Sequence, residues 1–364
     1  MEGKRTIQSI WLSDILSFGG EALFGDEGEE FELQPLNVLI GPNASGKSNL
    51  IEIFRLLRAL PSNPSQIIRE GGGVSEWLWK GGEPVPLAMI ILKVGQIEYR
   101  LKFTKVGYRW EIVDEHIVIS GQRVERNSAH NPEFSLLANL KDNPQVSSLI
   151  ETLSSIGIYK EWNTGRFSPL RLPQRPDLPS RTLLEDLSNF GLVFNNLPSS
   201  VKLKITEQLR QIYEGVEEVR TPIEGGTVQT LIQEKGLSSP TPLARVSDGT
   251  LRFLFLLTLL NQPELPPLIC IEEPESGLHP DVIHTTAELL IEASQRTQLI
   301  VTTHSDLLVS ALANADATDA VIVCERDRGG TKLRRLEAER LKEWLEMYSL
   351  GDLWLKGELG GTRW

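Results

Sequence analysis

Residues 36–60 read LNVLIGPNASGKSNLIEIFRLLRAL, and three patterns meet in them. Leu36 to Ile40 is a short apolar run that reads as a strand, whereas LIEIFRLLRAL from Leu50 repeats its apolar residues at helical spacing. Pro61 and Pro64 then close the helix. Between the two, Gly41 to Ser48 satisfies G-x-x-x-x-G-K-S in the strand-to-helix context this pattern requires. The glycines let the backbone wrap close to phosphate, and the amides of the loop and helix N-terminus point at the anion. Lys47 is expected to reach the β- and γ-phosphates of a nucleotide and Ser48 to place its hydroxyl on magnesium. The candidate ATP-contacting residues are therefore Gly41, Asn43, Ala44, Ser45, Gly46, Lys47, Ser48 and Asn49. A glycine-rich turn without ligand is the plainer alternative, and the flanking strand and helix argue against it.

Working outward, Leu268 to Glu273 (LICIEE) is an apolar strand ending in two carboxylates, which places them in the crevice where ligands of open α/β sheets bind. Glu272 is expected to hold the magnesium, directly or through water, and Glu273 to act as general base on the attacking water. Leu299 to Ser305 (LIVTTHS) is a further apolar strand that delivers His304, placed to contact the γ-phosphate or orient the water. A solvated acidic strand end, and a histidine merely packed at a strand end, are the bland alternatives. Ser247-Asp248-Gly249-Thr250 precedes an apolar helix and, taken alone, is an N-cap and first turn.

After Pro240 and Pro242 short apolar strands alternate with helices: helix 249–261, strand 267–271, helix 280–294, strand 298–302, helix 305–312, strand 319–324. This alternation implies an α/β fold with a mostly parallel core sheet. Residues 85–119 instead alternate polar with β-branched and aromatic residues, the mark of an antiparallel β meander. Residues 120–182 are polar and proline-dotted and read as an inserted helical and loop arm, followed by a helix near 200–214 and short strands near 216–234. The expected division is a discontinuous ATPase core, residues 1–60 and 240–364, around an antiparallel β subdomain and arm at 61–239.

The formal net charge of -12 excludes a globally basic nucleic-acid binder and confines any such contact to a local surface. One candidate is the loop from Lys160 to Arg181, where Lys160, Arg166, Arg171, Arg175 and Arg181 sit near Trp162 and Phe167 against only Glu161 and Asp177. A loop packed on its own domain is the favoured alternative. Lys332, Arg334, Arg335 and Arg340 form a second cluster, expected on a hairpin and helix. Trp77 and Trp79 suit an interface anchor or, more commonly, a core. An acidic loop, GDEGEE, is expected at 25–30. The two cysteines, Cys270 and Cys324, lie in strand-like runs, so a disulfide scaffold is excluded and a reduced cytoplasmic setting is expected. No signal peptide or membrane insertion is expected, because Leu251 to Leu260, the most apolar run, is about half the length of a bilayer span.

GPNASGKSN at 41–49, VSDGTLRFL at 246–254, LICIEEPESGLHP at 268–280 and VTTHS at 301–305 follow one another in the order found in a known family. By these strings the chain resembles the ABC-type ATPases of the RecF, SMC and OLD-like branch, a P-loop NTPase head. LLEDLSNFGLVFNNL at 183–197 matches the branch more loosely. The resemblance implies an ATP-dependent homodimer with ATP sandwiched between copies. Ser247, Asp248, Gly249 and Thr250 then stand at the signature loop, touching the γ-phosphate held by the partner copy's Lys47. Many relatives carry Asp where Glu272 stands, and no Q-loop glutamine is assignable.

Functionally, the resemblance implies a nucleotide-gated dimeric switch in DNA repair and maintenance or in defence against foreign DNA, with an effector protein encoded nearby and DNA contact left open. The alternatives are an OLD-like nuclease-associated subunit, the ATPase of a membrane transporter, and a scaffold that never turns over. OLD-like nucleases carry an appended Toprim domain, and about 60 residues after His304 are too few for one. The long insertion and the SDGT loop stand against the transporter.

Overall fold

Two kinds of apolar pattern in the chain build two kinds of sheet. The computed structural model describes residues 7–20, 31–81, 86–126, 131–160 and 162–361, so the expected acidic loop at 25–30 and Glu161 lie outside the described residues. The chain runs β1 (Ile7–Ser13), β2 (Phe31–Glu32), β3 (Leu36–Ile40), α1 (Lys47–Ala59), α2 (Pro64–Glu70), α3 (Val74–Trp77), β4 (Ala88–Val94), β5 (Ile97–Val106), β6 (Arg109–Ile119) and β7 (Gln122–Glu125). The arm follows as α4 (Ser147–Ser154), β8 (Gly157–Tyr159), α5 (Phe190–Asn196), α6 (Ser199–Leu209), β9 (Val216–Arg220), β10 (Ile223–Glu224), β11 (Thr227–Val228), β12 (Leu231–Glu234) and β13 (Thr241–Pro242). The remainder is α7 (Asp248–Asn261), β14 (Leu268–Glu272), α8 (Ile283–Ser294), β15 (Gln298–Thr302), α9 (Asp306–Asn314), β16 (Val321–Asp327), β17 (Gly330–Arg335), α10 (Ala338–Leu345) and α11 (Leu350–Leu355).

Strict alternation in β4 and β5 buries every second side chain. Such one-faced strands pair antiparallel, here in the order β2-β1-β4-β5-β6-β7. The second sheet, ordered β17-β16-β3-β15-β14-β8, is parallel except for β17, and β3 and β15 are buried at every residue. Successive side chains of a strand leave by opposite faces. Leu39, Cys270 and Ile300 accordingly join the core shared with α1 and the antiparallel sheet, while Val38, Ile271 and Val301 join the core shared with α7 and α8. Residues Leu251 to Leu260 form most of α7 and, apart from Arg252, are buried, so their apolarity serves this core. Among the described residues no helix is long and apolar enough to cross a membrane.

Two strands cross the expected division at residues 60 and 240. β1 pairs with β4 in the antiparallel sheet, with Trp11 opposite Ile91. β8 joins the parallel sheet beside β14, with Ile158 opposite Cys270, although it lies in the stretch read as arm. Three residues are too few to show a period, so β8 is a strand by virtue of its neighbour. The interface-anchor reading of Trp77 and Trp79 is corrected: both are buried, Trp77 at the end of α3 and Trp79 beneath the Arg326 guanidinium.

Candidate active site

Because β3, β15 and β14 are parallel neighbours, their C-terminal ends open on one side, the usual ligand crevice of such sheets. The loop after β3 is the glycine loop. Gly46, the N-cap of α1, has φ 107°, and a Cβ there would lie 2.2 Å from Thr331 Oγ1. At Gly41, φ is 146° and a Cβ would lie 2.3 Å from the Cys324 carbonyl. Only glycine tolerates both the backbone and the contact. Thr331 braces the loop from β17, its hydroxyl donating to Ser45 O at 2.8 Å and lying 2.8 Å from Ser17 Oγ. Ala44, Asn43 and Ser48 are exposed around the loop, and Asn49 is half-buried in the first turn of α1.

Lys47 is buried, and its ammonium donates to the carbonyls of Gly41 and Pro42, both at 2.8 Å. Burial pushes its pKa down, and the Glu273 and Glu272 carboxylates oppose that. The two glutamates at the end of β14 thus lie within electrostatic reach of Lys47. Glu272 Oε1 is buried with no hydrogen-bond partner, and so is Ser45 Oγ. A buried orphan acceptor costs about 1–3 kcal/mol, which a cation would relieve. Among the described residues no group of three or more His, Cys, Asp or Glu could hold a metal ion. Glu272 and Ser48 offer one carboxylate and one hydroxyl, oxygen donors of the kind a hard cation such as magnesium takes alongside phosphate oxygens.

Glu273 adopts a left-handed backbone, φ 45°, and its N–H donates to Thr302 O at 2.9 Å. Its carboxylate Oε1 lies 3.7 Å from His304 Nε2, both groups being partly exposed. The structure thus brings together Lys47, Glu272, Glu273 and His304. It adds one residue not recognised from sequence: Glu275, whose Oε1 accepts from Thr303 Oγ1 at 2.6 Å and from His304 N at 3.0 Å.

Ser247 caps α7, its Oγ accepting from Thr250 N at 3.2 Å. A Cβ on Gly249 would lie 2.7 Å from Gly277 O, so this loop packs tightly on the turn after β14. Ser247, Gly249 and Thr250 line a cavity of about 500 Å³ together with Gly277, His279 and Asp281.

The basic loop is consumed inside the molecule only in part: Lys160 and Arg171 turn inward, whereas Arg166, Arg175 and Arg181 are exposed. Lys160 pairs with Glu52 of α1, Trp162 Nε1 donates to Glu272 O at 2.7 Å, and Arg175 pairs with Asp177 at 2.5 Å. Arg171 is buried, donating to the carbonyls of Thr164, Leu243 and Val246 at 2.7 to 2.9 Å and pairing with Asp248. The stretch from Lys160 to Arg171 therefore connects the phosphate-loop helix, Glu272 and the start of α7, the link that no glutamine in the sequence had marked. The second basic cluster is also occupied: Lys332 pairs with Asp327, Arg340 with Glu337, Arg334 donates to Leu359 O, and Arg335 donates to Asp319 O, Glu32 O and Asn37 Oδ1.

This sheet order and these loops are those of a P-loop NTPase head. Residues 36–310 match the family described as "AAA domain, putative AbiEii toxin, Type IV TA system", and the chain belongs to that family. Over 77 residues it is 39% identical to the Old nuclease of Escherichia phage P2, a stretch that is 21% of this chain and 12% of that protein. Among solved structures, an Smc head bound to the C-terminal winged-helix domain of ScpA superposes with a TM-score of 0.60 at 15% identity, over 93% of this chain and 99% of that one. The SMC head domain from Thermotoga maritima gives 0.50 at 17% identity, over 91% and 99%.

Proposed function

We propose that this chain hydrolyses ATP at a composite site formed by two copies and uses the closure as a switch. The observation that carries the reading is the Glu273 carboxylate 3.7 Å from His304 Nε2 at the ends of β14 and β15, on the side where β3, the parallel neighbour of β15, opens into the Lys47 loop. Lys47 leaves the carbonyls of Gly41 and Pro42 to meet the β- and γ-phosphates. Ser48 and Glu272 hold magnesium, whose charge offsets that of the phosphates. Glu273 takes a proton from water as the water oxygen bonds to the γ-phosphorus and the bond to the β-phosphate oxygen breaks, releasing ADP. His304 orients that water or contacts the γ-phosphate. Ser247 to Thr250 contact the γ-phosphate bound by the partner copy, with the N-terminus of α7 favouring the anion.

The Old nuclease stretch and the toxin–antitoxin family description support an output in defence against foreign DNA, delivered through an effector protein encoded nearby. The enzymatic part is tested by phosphate release from Mg-ATP. Wild-type protein is expected to turn over, with Lys47→Ala and chelation of magnesium by EDTA each abolishing release. Equal turnover with and without Lys47 would refute the site.

A further inference from the structure

Glu275 belongs to the loop after β14, yet its carboxylate is spent on the loop after β15. Its Oε1 accepts from both Thr303 Oγ1 and His304 N, bridging residues 28 and 29 positions away. Thr303 Oγ1 in turn accepts from Ser305 N at 3.0 Å, and Ser305 Oγ caps α9 by accepting from Leu308 N at 3.1 Å. One carboxylate oxygen thus anchors three consecutive residues, 303 to 305, at the exit of β15. The other oxygen, Oε2, is buried with no hydrogen-bond partner.

We propose that Glu275 is a positioning residue: it fixes the backbone of Thr303 and His304 so that the His304 imidazole stays set against the Glu273 carboxylate. The inference rests on the reading of His304 and Glu273 as the groups that meet the γ-phosphate and the water. Two bridges then join the loops, Glu273 N to Thr302 O at 2.9 Å and the Glu275 pair, and the Glu273–His304 approach of 3.7 Å lies between them. A carboxylate is a costly brace. Burial pushes its pKa up, the Glu273 charge adds to that, and the bonds from Thr303 and His304 only oppose it. What the brace needs is an acceptor oxygen at this place, which a neutral amide of the same length also offers.

Steady-state ATP hydrolysis of Glu275→Ala, Glu275→Gln, His304→Ala and the double variant Glu275→Ala/His304→Ala tests this, with melting temperature as the folding control. Glu275→Ala is expected to lower kcat about tenfold to a hundredfold while leaving KM for ATP within about threefold, as displacement of a reacting group does. Glu275→Gln keeps an acceptor oxygen and should recover most of kcat. In the His304→Ala background the Glu275→Ala change should cost nothing further, because it acts through His304. A multiplicative loss in the double variant, or a kcat for Glu275→Gln as low as for Ala, overturns the proposal. Should Glu275→Ala fail to fold, Thr303→Val removes one donor of the brace and is expected to show the same kcat loss with KM unchanged. Wild-type protein without turnover sinks the proposed function along with this inference, whereas active wild type matched by Glu275→Ala sinks the inference alone.

Discussion

At Glu273 the backbone is held at φ 45°, a left-handed conformation that costs a residue with a side chain about 1–3 kcal/mol. Two bonds hold it there: its N–H donates to Thr302 O and its carbonyl accepts from Ser276 N, both at 2.9 Å. The turn aims the carboxylate at His304 and out of the core, where the proposed general base has to stand. Gln at this position keeps the shape and the bonds but cannot take a proton. Glu273→Gln is therefore expected to lose about 10²- to 10⁴-fold in kcat while binding ATP as the wild type does. Single-turnover hydrolysis at the wild-type rate would remove Glu273 from the mechanism. Lys47, Ser48, Glu272 and His304 could be named as candidates from sequence because each sits in a contiguous string whose spacing such chemistry would dictate. Glu275 could not: its partners lie 28 and 29 residues away, and only the pairing of β14 with β15 brings them alongside.

Between residue and molecule, the stretch from Lys160 to Arg171 shows where local sequence runs out. The parallel strands were legible because strands buried on both faces are continuous apolar runs, and the meander because its strands are buried on one. β8 carries neither signal in three residues, and the basic residues after it suggested a nucleic-acid surface because composition does not reveal which charges turn inward. Arg171 turns inward. Its guanidinium gathers the carbonyls of Thr164, Leu243 and Val246 and pairs with Asp248, tying the arm to the first turn of α7. Arg171→Ala leaves those carbonyls without their donor and is expected to cost on the order of 3 kcal/mol in urea unfolding. Beyond the loss of stability, the loop from Ser247 to Thr250 loses its register on α7. Nucleotide binding at Lys47 should persist below the unfolding transition while ATP-dependent pairing is lost. Unchanged pairing in folded Arg171→Ala would show that the arm does not set the loop.

For the molecule as a whole, the proposed shared site makes the glycine loop and the loop at Ser247 two halves, each expected to face a phosphate. The cavity of about 500 Å³ beside Ser247, Gly249 and Thr250 leaves that second half open in one copy. Two copies related by a two-fold axis would satisfy both halves twice, since such an interface repeats every contact. The pairing has to overcome charge: each chain carries a formal -12, and bound ATP adds more. At about 0.01 M salt the Debye length is about 30 Å and the copies repel at range, whereas near 0.15 M it falls to about 8 Å. The contacts proposed to favour pairing, Ser247 and the α7 N-terminus on a phosphate desolvated between the copies, would act at short range and be screened far less. Glu273→Gln with saturating Mg-ATP is thus expected to double its mass in light scattering, more completely at 0.15 M than at 0.01 M salt, and to return to monomer when the nucleotide is removed. A monomer under both conditions would reject the shared site, and a dimer that weakens as salt rises would mean that opposite charges, rather than the phosphate, hold the copies together.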